Sequence, residues 1–105
     1  MSTSLTGIQA AKAQQVVITD DALVVDLTDG RTVSVPLAWF PRLLHGTAEE
    51  RNHWRLIGNG EGMHWPDLDE DVSVENLISG KPSGESQQSF QRWLDQRGGR
   101  VSNPK

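Results

Sequence analysis

The chain contains no cysteine, which excludes a disulfide framework, a thiolate zinc site and a cysteine nucleophile together. No apolar run approaches the roughly 20 residues that cross a bilayer. The opening residues, MSTSLTGIQAAKAQQ, lack the basic start and apolar block of a secretory signal. The expectation is a soluble cytoplasmic protein with no membrane contact. Apolar residues are scarce, 35% of the chain against roughly 45–50% in an average globular domain, glycine included in that average. They gather between positions 16 and 78, so residues 1–15 are expected to form a flexible N-terminus. A basic excess is also missing: 14 acidic and 10 basic residues leave a formal charge of −4. Such a surface gains little counterion-release energy on a phosphate backbone, which disfavours direct nucleic-acid binding and favours a basic protein partner.

At 105 residues there is room for a single domain burying roughly two thirds of its unfolded surface. Within it, Val16, Val17 and Ile18 precede a turn at Asp20 and Asp21; Leu23, Val25 and Leu27 then alternate, followed by Asp29, Gly30, Val33 and Val35. This is the pattern of an antiparallel meander. A three-residue loop at 28–30 pairs Val25 with Val33 and Leu23 with Val35, burying one clean face with Gly30 at a positive-φ position. Pro36 ends the strand. Leu37, Phe40, Leu43 and Leu44 follow at helical spacing, with Trp39 among them and Pro41 breaking the helix into short turns. Thr47 and Glu50 stand in capping-box positions for a second short helix over residues 48–53.

In WRLIGNGEGMHW, a type I′ turn at Asn59 and Gly60 sets Leu56 opposite Met63, and Trp54 opposite Trp65, with Arg55 and His64 on the other face. After Trp65 and Pro66 comes PDLDEDVS, expected to carry the chain from a strand into a helix capped by Ser73. Residues 81–85 look like a linker. Phe90, Trp93 and Leu94 lie at i, i+3 and i+4 of a C-terminal helix over 86–98, stopped by Gly98, and residues 99–105 are expected to be a disordered tail. The fold class is therefore α+β: antiparallel hairpins packed with short helices, in a domain over 16–80, plus an amphipathic C-terminal helix that needs a surface on its own sheet or on another chain.

The carboxylates at 67–71 invite a metal reading. Alternating Asp67, Asp69 and Asp71 resemble the start of a calcium loop, but the sixth and twelfth positions hold Val72 and Ile78 instead of glycine and glutamate. No metal and no cofactor is expected. His45, His53 and His64 share no helix-face spacing and show no carboxylate at a spacing that makes a dyad, so no catalytic residue is assigned. A helix-entry turn explains one or two of the carboxylates through the helix dipole. The excess is read as a negative contact patch, with Asp69, Glu70 and Asp71 as its charges and Phe90, Trp93 and Leu94 as an apolar docking stripe.

The segments DGRTVSVPLAWFPRLL, Asn52-His53-Trp54 and GMHWPDLDEDVSVENLISG resemble the family catalogued as domain of unknown function 2442, over residues 23–80. The run from Trp65 and Pro66 to Ser73 is the distinctive part. The resemblance implies a small bacterial α+β domain. Some longer members carry a helix-turn-helix, and many are encoded beside a second small protein of domain of unknown function 4160, an arrangement like a toxin–antitoxin pair. This chain ends instead in one short helix. The expectation is a non-enzymatic interaction domain, the antitoxin-like partner of a neighbouring small protein. Its alternatives are a DNA-binding module using residues 36–54 and a metal-dependent hydrolase built on His64 and residues 67–71, with a homodimer also open.

Overall fold

A computed structural model describes residues 11–102; the expected flexibility of residues 1–10 and disorder of 103–105 lie outside these. Leu23, Val25 and Leu27 put one face of β2 (Ala22–Leu27) wholly into the core. That strand pairs antiparallel with β1 (Ala13–Ile18) on one side and β3 (Thr32–Pro36) on the other. Val25 pairs with Val33 and Leu23 with Val35, the register of a three-residue loop. Gly30 takes φ +96°, and the Leu27 N–H donates to the Arg31 carbonyl at 2.8 Å to close that loop. The N-terminal boundary needs correcting, because β1 begins at Ala13 and not beyond residue 15. A bulge between Ala13 and Gln15 turns two glutamines outward, so Ala13 and Val16 are both buried although they lie three positions apart.

Pro36 closes β3, a 3-10 turn spans Leu37–Trp39, and α1 (Pro41–His45) starts with Pro41 in its first turn, where the missing N–H costs nothing. Phe40, between the two, is buried, and Trp39 is packed against the core from its edge. In α2 (Ala48–Asn52) the capping box is complete: the Glu50 N–H donates to Thr47 Oγ1 at 3.1 Å and the Thr47 N–H to Glu50 Oε1 at 2.8 Å.

A second sheet runs β4 (Arg55–Ile57), β5 (Gly62–Trp65) and β6 (Glu70–Ser73), antiparallel in that order. Leu56 pairs with Met63 and Arg55 with His64. Asn59 (φ 59°, ψ 33°) and Gly60 (φ 92°) both lie at positive φ, and the Glu61 N–H donates to the Gly58 carbonyl at 3.1 Å, the geometry of a type I′ turn. The expected Trp54–Trp65 pair is not part of this ladder, which ends at Arg55 and His64. Trp65 is fully buried and pairs with Glu70, its Nε1–H donating to the Arg51 carbonyl at 2.9 Å, while Trp54 packs against the rim of the core.

β6 is the larger correction. The acidic run does not lead from a strand into a helix. It turns at 66–69, opened by the exposed Pro66, and returns along β5 before Ser73 caps α3 (Val74–Ser79), its Oγ accepting the Asn76 N–H at 3.1 Å. The gain is apolar: Leu68 and Val72 both become buried, which a solvated turn would not provide.

Residues 81–85 are not a free linker either. The Ser83 N–H donates to the Trp39 carbonyl at 3.0 Å, and the Glu85 side chain is only 12% exposed. The C-terminal helix α4 (Gln87–Ser102) passes through Gly98 and Gly99, so the expected stop at 98 and the tail from 99 are both wrong as far as residue 102. A helical glycine costs about 1 kcal/mol relative to alanine but does not itself end a helix.

Gly60 offers a direct check on how the sheets meet. A Cβ there would sit 3.1 Å from the Ala13 carbonyl oxygen, at a φ that strains any other residue, whereas one at Gly84 would meet nothing within 4 Å. Urea unfolding should show Gly60→Ala destabilised by about 1–3 kcal/mol, with Gly84→Ala within about 0.5 kcal/mol of the parent. Equal effects would mean that the β4–β5 turn does not pack on β1.

Candidate functional site

Strand alternation disperses the carboxylates of the acidic hairpin. Asp71 points outward beside His64, its cross-strand partner, and is 67% exposed; Asp69 sits at the turn at φ +52° and is 88% exposed. Glu70 turns toward the core side, half-buried in the row of Trp65. Asp67 lies in the turn and meets His53 across 2.8 Å. Among the described residues no three histidine or carboxylate side chains come together as metal ligands.

The β5–β6 turn is fixed from α1. Arg42 Nη1 donates to the carbonyls of Leu68 (3.1 Å) and Asp69 (3.2 Å). The rest of the guanidinium faces Glu85, with Nε at 2.9 Å from Oε1 and Nη2 at 2.5 Å from Oε2. Ser89 in α4 donates its hydroxyl to the same carboxylate at 2.7 Å. Both partners of this bidentate pair are largely shielded from water, the setting in which an Arg–carboxylate fork is strongest. A second fork joins Arg97 to Glu50 at 2.8 and 3.0 Å, coupling α4 to the capping box of α2.

Trp93 lies between the two arginines, its ring 5.2 Å from the Arg42 guanidinium and 4.6 Å from that of Arg97, and it stacks on Phe90, which in turn meets His45. The Phe90, Trp93 and Leu94 stripe therefore packs on its own domain, against α1 and the core rim. Of the two surfaces open to it in the sequence, the structure takes the first, and these residues are not a free docking stripe in this conformation.

Two features escaped sequence reasoning. The His53–Asp67 and His64–Asp71 contacts, at 2.8 and 2.5 Å, pair imidazoles with carboxylates 14 and 7 positions away, distances set by the hairpins and not by a helix period. Among the described residues neither imidazole hydrogen-bonds a serine or threonine hydroxyl, so neither pair is assembled with a nucleophile. The Arg42–Glu85 link spans 43 positions, and only an isolated glutamate after a Pro-Ser-Gly stretch hinted at it.

The electrostatics follow from these contacts. Glu85 and Glu50 are held below the ordinary carboxylate value, chiefly by the hydrogen bonds from Arg42 and Arg97 respectively. Glu70 goes the other way: burial pushes its carboxyl up to about 7, helped by Glu85, Asp71 and Asp69 and opposed by Arg42.

A two-sheet α+β domain with a part-buried arginine fork, and without a formed catalytic cluster among its described residues, is the class that the geometry defines. The model of the family described as "Protein of unknown function (DUF2442)" matches residues 13–83, and the chain belongs to that family. Two solved structures are similar in fold. One is a crystal structure of a protein of unknown function from Rhodospirillum rubrum, 23% identical over 75% of this chain and 98% of that one, with TM-score 0.64. The other is a solution NMR structure of an uncharacterized protein from Chromobacterium violaceum, 17% identical over 91% and 83%, with TM-score 0.61. No curated protein matches. Among the described residues no helix is long and apolar enough to cross a membrane.

The opposing shifts define a pH profile. Glu50 and Glu85 contribute stability above the ordinary 4.5 that is lost as pH falls through their lowered folded values. Glu70, raised from 4.5 to about 7, keeps in the folded state a proton that the unfolded chain has lost. Stability therefore falls as pH rises between those values and levels off above. Thermal melts should peak near pH 5 and decline toward pH 8. Glu70→Gln should flatten that decline and gain about 1 kcal/mol at pH 8, a figure discounted for partial solvent screening. An unchanged decline in the variant would locate the titrating group elsewhere.

Proposed function

We propose that this chain is a non-enzymatic protein-interaction domain that docks a small basic protein on its acidic hairpin. The observation that carries the reading is the presentation of that hairpin: Asp69 in the turn and Asp71 on β6 are 88% and 67% exposed, and the turn backbone is clamped by Arg42, in a chain of formal charge −4. Charges held on a rigid element steer a partner and fix its orientation without an ordering cost at each encounter. The resemblance to the domain of unknown function 2442 family points to a partner encoded next door, in the manner of an antitoxin that masks its toxin.

The alternatives draw less support. The arginines of residues 36–54 that a DNA-binding module would use are turned inward, Arg42 onto Glu85 and Arg51 onto the Leu43 and Leu44 carbonyls at 2.8 and 2.6 Å. A metal-dependent hydrolase would need ligands that converge, and residues 67–71 diverge onto different faces of the hairpin.

The test is a tagged pull-down from the native host at moderate and high salt, followed by affinity measurement with whatever small protein is recovered. The double charge reversal Asp69→Lys plus Asp71→Lys should weaken binding at least tenfold, or about 1.4 kcal/mol, and remove its salt dependence. Asp20→Lys plus Glu75→Lys, an equal change of net charge elsewhere, should leave it within twofold. Recovery of the chain alone, or equal weakening by both pairs, would end the proposal.

A further inference from the structure

The outer face of the second sheet has a gap in its side-chain pattern. Two cross-strand rows lie on that face: Arg55, His64 and Asp71 in one, Ile57, Gly62 and Ser73 in the other. Met63, Trp65 and Val72 alternate with them and are buried in the core. Gly62 stands on the middle strand, so the centre of its row carries no side chain. A Cβ placed there would lie 3.4 Å from Ile57 Cγ1 and 3.0 Å from the Val72 carbonyl oxygen. The gap opens into a hollow of about 240 Å³ that is largely apolar, with Glu61 and Asp71 as its charged members.

These two carboxylates stand at opposite corners. Glu61 Oε1 lies 3.4 Å from the position of a Gly58 Cβ, just past Ile57 on the β4 side, whereas Asp71 is on β6 in the neighbouring row. Among the described residues no ion pair engages Glu61, and His64 meets Oδ1 of Asp71, leaving Oδ2 open. No described basic side chain lines the hollow, and Arg55 lies on the far strand from Asp71. Small-molecule sites run to roughly 300–1,000 Å³, so this hollow has the scale of a single side chain. A slender apolar stem ending in a compact positive charge satisfies its walls and its corners together. We propose that the hollow receives a lysine side chain of the basic partner, its methylenes against Ile57 and Gly62 and its ammonium on the carboxylate of Asp71 or Glu61. The inference rests on the docking reading above, and adds to Asp71 an apolar seat and a second carboxylate.

The first test needs no partner. The isotope-labelled full chain is titrated by NMR with Nα-acetyl-lysine methylamide and, in parallel, with its norleucine counterpart, which has a similar stem and no ammonium. The lysine probe should shift the amides of Ile57, Gly62 and Ser73 in a saturable way, and the norleucine probe should shift them far less. Ile57→Thr, which keeps a β-branched residue on the strand, and Glu61→Gln should each weaken the response. The second test uses the small basic protein recovered by pull-down. Ile57→Thr and Glu61→Gln should each weaken its binding about fivefold or more. Val17→Thr, a like change at an exposed valine of the first sheet, should leave it within about twofold. If Asp69→Lys plus Asp71→Lys abolishes partner binding while Ile57→Thr and Glu61→Gln leave it intact, the docking reading stands and the lysine seat falls. If no protein is recovered, the docking reading falls, and the titration still decides whether the hollow takes a lysine. Equal shifts from both probes, shifts spread over every exposed carboxylate, or none at those three amides would overturn the seat.

Discussion

The guanidinium of Arg42 is the constraint on which the second half of the structure depends. It brings together α1, the β5–β6 turn and the segment entering α4, three pieces that share no strand pairing with one another. Its planar array of donors allows this: one edge takes two turn carbonyls while the other grips a carboxylate, and its face meets Trp93. A lysine ammonium, a single point of charge, could not reach all of these at once. The carbonyls of Leu68 and Asp69 flank a left-handed residue, so the clamp also holds a turn conformation that a non-glycine residue adopts at a cost. The presentation of the acidic hairpin thus rests on a side chain whose own charge is consumed internally.

This arrangement suits a chain poor in apolar residues. The core draws on β1, β2, β3, the turns around α1, β5, β6 and α3, and it is nearly complete by Leu77; among the residues of α4 whose burial is described, Trp93 is the one counted within it. What remains to dock the last helix is a rim, and a rim favours forks of arginine and carboxylate over burial. Such pairs hold geometry well but are modest in free energy once water reaches them. The outcome is a helix placed by directional contacts at the rim and anchored in the core by Trp93.

The meander and the β4–β5 hairpin were legible because their signals are local and agree with one another: alternating Leu23, Val25 and Leu27, a glycine where φ must be positive, and an Asn-Gly turn between two apolar strands. Pro41 and the Thr47–Glu50 box spoke as plainly, each acting within one turn of chain. β6 was not legible, because Val72 is the one strong strand former in Glu-Asp-Val-Ser and its turn depends on an aspartate at positive φ where glycine would be expected. The contacts of Asp67 and Asp71 with histidines became visible only once register was known. Glu85 looked like part of a linker because nothing in Lys-Pro-Ser-Gly-Glu announces an arginine 43 positions earlier.

The four carboxylates that drew attention in the sequence turn out to be four different things. Asp67 and Asp71 each carry a histidine partner from elsewhere in the chain, His53 and His64. Asp69 is nearly free, its carboxylate 3.8 Å from Arg42 and almost fully solvated. Glu70 is turned inward and resists ionisation. A catalytic or metal site would require such groups to converge on one point, and the strand period forbids that for consecutive residues. A contact surface has no such requirement, because it needs only exposed charge on a rigid support. The same alternation that dismantles the cluster as a chemical centre separates the outward charge of Asp71 from the half-buried carboxyl of Glu70.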